Sequence, residues 1–497
     1  MNMRRILLIL MGILGSLSAF AKVRPSSTPL SFDKSKGEKT QLTMPNGQSV
    51  SYTAYTHLYY VTYVEDSTYQ YLNIFVPEGA TDRTPIFLRT YVGGYMESQA
   101  GLPQADDASG RALAEGYVLV IPGSRGRGST VKRGKKTIYT GRAPKGLLDL
   151  KAAVRYLRHF RNDFPGDKER IITDGTSAGG AMSSLLGATG NHPSYAKALK
   201  AMGAADERDD VFASVAYCPI VDLDHADMAY EWLYGKTASR LALPEASRQL
   251  SEALASQFAA YQASLGLTLS DGTPLTAETY PAYLKKLLIQ SAQEAKDAGA
   301  TIPDSIGFSF SKKASGQAPI NGGVGTPPQG MRPPQGMRPP QKQVGEYITD
   351  LDLSTYLDYV VSTQPLKGVP AFDSYGVGGA KASGENGLFG DDTGSDANFT
   401  AWAAAETGAS LSPALLERVR LMNPMYYIGD PASSVAPHWY IRHGARDRDT
   451  AFPVIINLAT KLENTGRDVN FKLPWNRPHS GDYALNELFA WVRRITR

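Results

Sequence analysis

Ser177 stands in Gly175-Thr176-Ser177-Ala178-Gly179, directly after a short apolar strand at 170–173 and at the start of a helix-forming run. Such a pentapeptide is weak alone, but between strand and helix it reads as a nucleophile elbow, a tight turn that lifts a serine hydroxyl above a sheet. A serine nucleophile needs a general base, and the base needs an acid to orient it. With this elbow the chain order is serine, acid, histidine, the histidine following the last strand. Of seven histidines, His57 and His159 precede Ser177, His192 and His225 come too early, and His438 and His443 flank or lie in a strand. His479 remains, between the last strand and the last helix. Asp447 fits the acid, with Asp449 in Arg446-Asp447-Arg448-Asp449 as its rival. The transition state of acyl transfer develops an oxyanion, which backbone N–H groups must meet. Ala178 supplies one, and the loop Gly93-Gly94-Tyr95, through Gly94 or Tyr95, the other.

These residues require a sheet that presents several loops at one edge. Strands are expected at 58–64 and 69–76 (a hairpin), 85–90, 117–121, 170–173, 211–220, 438–443 and 469–475. Helices are expected at 146–160, after Ser177, at 449–464 and at 483–494. Residues 22–57 read as a polar, extended lead-in. Alternating strands and helices imply an α/β class, a mostly parallel sheet flanked by helices, here an α/β-hydrolase fold with a large inserted lid domain. The core spans 22–220 and 421–497, and the insertion spans 221–420. Within it Pro327-Pro328-Gln329-Gly330-Met331-Arg332 is repeated at once, and 327–340 reads as a Pro-rich, solvated loop.

Met1–Arg5 is basic, 6–17 is apolar, and Ala19-Phe20-Ala21 is a small-x-small site, so residues 1–21 read as a signal peptide cleaved after Ala21. The protein is expected to be secreted or periplasmic, with no membrane attachment after cleavage. One cysteine, Cys218, excludes a disulfide scaffold and a multi-cysteine zinc site. With 52 Lys+Arg against 48 Asp+Glu, nucleic-acid binding is not suggested. Gly123-Ser124-Arg125-Gly126-Arg127-Gly128 would need a cytosolic setting and a distant acidic partner to hold a dinucleotide. It is read instead as a loop at the sheet's carboxyl edge, with Arg125 bracing the site. Asp391-Asp392-Thr393-Gly394-Ser395-Asp396 lacks the ligand spacing of a calcium loop and is read as a turn. No metal or organic cofactor is expected.

The ordered set Asp174–Gly180, Gly187-Ala188-Thr189-Gly190-Asn191, Pro365-Leu366-Lys367, Ala371-Phe372-Asp373, Glu385–Gly390, Arg442–Thr450 and Ser480-Gly481-Asp482-Tyr483 resembles the bacterial subtype B tannases, or tannin acyl hydrolases. The likeness covers about residues 50–497; the Pro-rich repeat departs from it. It implies a serine esterase that cleaves galloyl esters of gallotannins and alkyl gallates through Ser177, Asp447 and His479. It further implies that Asp449, Glu385 and Lys367 bind the galloyl hydroxyls, with Lys381 a neighbouring rival to Lys367. A carboxylate accepts strong hydrogen bonds from phenolic hydroxyls, and a site built for them rejects rings that lack them. The partners expected are small galloyl esters; oligomeric state is silent. Alternatives are a feruloyl or other hydroxycinnamoyl esterase, a secreted serine peptidase of the same fold, and a non-catalytic polyphenol-binding hydrolase fold.

Overall fold

The structure is a computed structural model that describes residues 27–311 and 347–497. The expected signal peptide and the Pro-rich loop lie outside these residues.

The strands are β1 (Glu38–Thr43), β2 (Ser49–Tyr59), β3 (Tyr71–Pro77), β4 (Pro85–Arg89), β5 (Val118–Pro122), β6 (Thr130–Arg133), β7 (Lys136–Tyr139), β8 (Asp167–Thr176), β9 (Ala213–Tyr217), β10 (Phe308–Ser311), β11 (Tyr347–Leu351), β12 (His438–Arg442) and β13 (Asp468–Lys472). Nine of them form one sheet in the order β1-β2-β3-β5-β4-β8-β9-β12-β13. The first three pairings are antiparallel, and every pairing from β5 onward is parallel. This is the α/β-hydrolase arrangement, with β1 added at its antiparallel edge.

Side-chain alternation puts helices on both faces. In β4 and β5, Ile86, Leu88, Val118 and Val120 join one core. Phe87, Leu119 and Ile121 join the other. Against the first face pack helix α2 (Lys145–His159), helix α3 (Ala178–Ala188) and the helix Phe452–Asn464. Against the second pack helix α1 (Ala108–Ala114) and the last helix, Leu485–Ile495, through Leu113, Phe489 and Trp491. A strand buried on both faces must be apolar throughout, which is why β5 is legible as an unbroken run.

The lead-in expected at 22–57 is corrected: β1 and β2 occupy much of it. In β2 Val50, Tyr52 and Ala54 are buried while Ser and Thr stand between them, a period-2 pattern carried by one aliphatic residue only. The hairpin expected at 58–64 and 69–76 is therefore β2 with β3, and its register shifts between Tyr55 and Leu58.

Residues 218–437 leave and re-enter the sheet between β9 and β12, which are hydrogen-bonded neighbours. They include the helices Leu223–Tyr234, Tyr280–Asp297, Leu353–Thr363 and Gly384–Phe389 and the β10–β11 hairpin. Among the described residues no helix is long and apolar enough to cross a membrane.

Candidate active site

Four loops at the carboxyl ends of β4, β8, β12 and β13 converge, as ligand sites in open α/β sheets do. Ser177 directly follows β8 with φ 61° and ψ −123°, a conformation rarely adopted by a residue with a side chain. The turn is locked by the Ser177 N–H on the Tyr217 carbonyl at 2.9 Å and the Ala181 N–H on the Ser177 carbonyl at 2.9 Å. It also requires its glycines: a Cβ on Gly175 would sit 2.3 Å from the Gly179 carbonyl oxygen, and one on Gly179 2.8 Å from that of Val92.

His479 Nε2 lies 2.8 Å from Ser177 Oγ, and His479 Nδ1 2.8 Å from Asp447 Oδ2. Asp447 is wholly buried and also accepts the Asp449 N–H at 2.8 Å. Burial opposes charge on the His479 ring, but the hydrogen bond to the Asp447 carboxylate outweighs it and raises its pKa. Burial pushes the Asp447 carboxyl up; His443 and His479 more than offset this and hold it below the usual range. The Cys218 thiol, 4.0 Å from His479 Nε2, is pushed up by burial and so stays neutral at moderate pH. A neutral imidazole between a hydroxyl and a carboxylate is arranged to take the hydroxyl's proton.

Ser177 and His479 open onto a cavity of about 240 Å³ lined also by Gly94, Tyr95, Ala178, Ile220, Lys367, Glu385 and Asp449. Asp447 lies behind His479, whereas Asp449 lines the cavity with Oδ2 3.8 Å from His479 Nδ1. Asp449 Oδ1 accepts from Arg448 at 2.5 Å. Lys367 sits with Nζ 4.0 Å from the centre of the Phe372 ring. Lys381 is not among the lining residues. Larger hollows lie elsewhere, one of about 460 Å³ along β1 and β2, but it holds no nucleophile–base pair.

The segment bearing Glu385 is fixed from beneath. Ser383 and Asn386 form a reciprocal cap on the helix Gly384–Phe389. The buried Asp373 carboxylate accepts from Asn386, Asn398, Phe399 and Thr400 at 2.7–2.8 Å. Phe372 and Asp373 donate their own N–H groups to Asp227, whose carboxyl burial pushes up to about 7. The acid-bearing loop is held from the inserted helices: Tyr230, Tyr234 and Tyr356 donate to the carbonyls of Arg448, Asp447 and Ala445.

Several neighbours of this site escaped sequence reasoning. His443, buried with neither ring nitrogen hydrogen-bonded, approaches Asp447 to 3.4 Å. Its pKa is lowered by burial. Arg89, buried, pairs with Asp174 before the elbow and, at 2.5 Å, with Asp482 after His479. Arg125 does not brace the site: its guanidinium binds Asp149 and Glu65. Arg127 approaches the site instead, through Gly94. Asp391 caps its own turn by accepting from Thr393 and Ser395.

Residues 72–262 match the family model BD-FAE. Over 54 residues the chain is 43% identical to "Esterase LipC" of Mycobacterium tuberculosis, a match spanning only 13% of that protein. Much longer matches come from solved structures. A tannin acyl hydrolase from Lactobacillus plantarum is 38% identical, with 94% of this chain and 99% of that one covered and a TM-score of 0.79. A Fusobacterium nucleatum tannase is 32% identical, with 94% and 100% covered and a TM-score of 0.80. A tannin acyl hydrolase in complex with ethyl gallate is 38% identical, with 94% and 99% covered and a TM-score of 0.79.

Proposed function

The chain belongs to the bacterial tannase family and is a carboxylic ester hydrolase, and from that premise we propose that it is secreted and releases gallic acid from alkyl gallates and gallotannins through Ser177, His479 and Asp447. Ser177 Oγ attacks the galloyl carbonyl while His479 takes its proton and returns it to the leaving alcohol. Asp447 fixes the imidazole tautomer and stabilises the imidazolium. The Ala178 N–H and an N–H from Gly94 or Tyr95 receive the oxyanion. Water, deprotonated by His479, then hydrolyses the galloyl-enzyme. Asp449, Glu385 and Lys367 pair with the ring hydroxyls, and the segment 221–420 acts as the lid that brings two of them. Secretion rests on the basic, apolar and small-x-small pattern of residues 1–21.

The observation that carries this reading is the single cavity that gathers the nucleophile, the base and three charged side chains suited to polyhydroxylated rings. Ethyl gallate, seen with a relative, is the substrate type carried over to this chain. The test is gallate release from propyl gallate by the protein starting at residue 22, beside Ser177→Ala. Turnover by the wild type and a loss of at least ~10³-fold in S177A are expected. Greater kcat/KM on methyl ferulate than on methyl gallate would overturn the substrate assignment, and unchanged turnover in S177A would overturn the nucleophile.

A further inference from the structure

The stretch Gly123–Gly128 has no place in the mechanism so far, yet its backbone lies against the loop after β4. Ser98 and Ser124 exchange backbone hydrogen bonds at 3.0 and 2.8 Å. A Cβ on Gly126 would sit 2.0 Å from the Glu97 nitrogen. This contact delivers Arg127. Its own N–H donates to the Tyr95 carbonyl at 2.8 Å, and its Nε donates to the Gly94 carbonyl at 2.8 Å.

Gly93–Met96 is a turn closed by the Met96 N–H on the Gly93 carbonyl at 2.9 Å, with φ 56° at Gly94 and φ 55° at Tyr95. Two positive central φ values make it type I′. The peptide between them is planar and trans, so a carbonyl turned to Arg127 turns the Tyr95 N–H the opposite way. That N–H has no acceptor among the described residues, and Tyr95 lines the cavity with Ser177 and Ala178. The alternative turn, type II′, differs by a flip of this one peptide. It keeps positive φ at Gly94, where glycine bears it, and relieves Tyr95 of it. The flip would take the N–H away from the cavity. The Tyr95 side chain is buried and donates to the Ile220 carbonyl at 2.5 Å, and the Gly94 carbonyl of the preceding peptide is held by Arg127.

We propose that Arg127 is a positioning residue of the oxyanion hole, holding the Gly94–Tyr95 peptide so that the Tyr95 N–H meets the developing oxyanion. This rests on the esterase reading above and decides between its two candidate donors. The guanidinium also polarises the peptide it binds, which strengthens the N–H as a donor. The same group lies 3.2 Å from where a Cβ on Gly384 would be, beside Glu385. One arginine thus links the loop that meets the carbonyl oxygen to the segment proposed to read the ring.

The experiment uses Arg127→Met, Arg127→Gln and Arg127→Lys in the whole protein. It reads kcat and KM on propyl gallate, and the affinities of trihydroxyphenylboronic acid, a tetrahedral mimic captured by Ser177, and of pyrogallol, which keeps the ring hydroxyls but has no carboxyl oxygen to place in the hole. Losing one oxyanion donor costs about 10²–10³-fold in kcat. R127M and R127Q should lose about 10²-fold in kcat with KM within about twofold. Boronate affinity should fall in step with kcat/KM while pyrogallol affinity stays, and R127K, which keeps a cation near Gly94, should recover most of the loss. Unchanged kcat in R127M and R127Q overturns the proposal. So does an equal fall in boronate and pyrogallol affinity, the mark of a generally loosened site. The affinity ratio is read on folded protein, so a lower melting temperature in one variant does not mask either result. Failure of the esterase reading looks different: wild type would not turn over gallates at all.

Discussion

Asp447 is a wholly buried carboxylate that stays charged because of its neighbours. It raises the pKa of His479 in turn. In Asp447→Asn the imidazole would lose that support and give up its proton at a lower pH. The acid limb of kcat/KM on propyl gallate should therefore move downward. The plateau kcat should fall by about 10⁴-fold, since an amide also favours the wrong tautomer. A pH profile with a lower plateau and an unmoved limb would show that Asp447 orients the ring without setting its charge. At this scale the sequence was informative where order along the chain restricts the choice. Position alone left His479, and the structure puts it 2.8 Å from Ser177 Oγ. Arg89 and Arg127 were illegible because their partners lie far off in the chain, and no spacing rule links Arg127 to Gly94, whereas His443, only four residues before Asp447, is set aside in the sequence for bordering a strand.

Elements position the site by their ends, and Arg89 ties three of those ends together. It closes β4, binds Asp174 in β8 and binds Asp482 in the loop after His479, which also accepts the Ala108 N–H at 3.3 Å. Burial pushes the Asp174 carboxyl up to about 6, against the pull of Arg89. Arg89→Met would leave two carboxylates without their cation, and breaking a buried pair from one side costs about 3–5 kcal/mol. The folded state of R89M should bind a proton at Asp174 more tightly than the unfolded chain does. Its stability should therefore rise as the pH falls from 7 through 6 toward 4. Urea unfolding at pH 7 and pH 5 measures this, and adding Asp174→Asn and Asp482→Asn should restore much of the loss at pH 7. A loss independent of pH and unrelieved by the asparagines would assign the cost to packing. Elements were legible where the strand is buried on both faces and so mostly apolar, as β5 and β9 are. β1 and β2 were missed because β1, the edge strand, is exposed along almost its whole length, and β2 buries one face only, its alternation diluted by threonine and serine.

At the scale of the whole molecule, the triad proposed for the chemistry and two of the three side chains proposed for recognition come from different stretches of chain. Ser177, Asp447 and His479 extend from sheet strands, whereas Lys367 and Glu385 come from the stretch between β9 and β12. The sequence showed that stretch as a break in the α/β rhythm but could not show which of its loops reach the cavity. Their placement depends on buried polar contacts such as Asp373 with Asn386, made across 13 residues. This division predicts separable defects. Hydrogen bonds to charged groups contribute about 1.5–3 kcal/mol, or roughly 10–150-fold each. Glu385→Gln and Lys367→Met should each lower kcat/KM on propyl gallate within that range. The double variant should lose less than the product of the two, because both side chains are proposed to meet one ring. On propyl benzoate, which offers no hydroxyls, the same variants have no such bond to lose, and the gallate-to-benzoate ratio should collapse. Ser177→Ala should instead abolish both activities and leave no ratio to measure. If E385Q and K367M lowered gallate and benzoate turnover equally, these side chains would be shaping the cavity without reading the ring. Recognition would then rest on Asp449, which belongs to the same loop as the acid and stands 3.8 Å from His479.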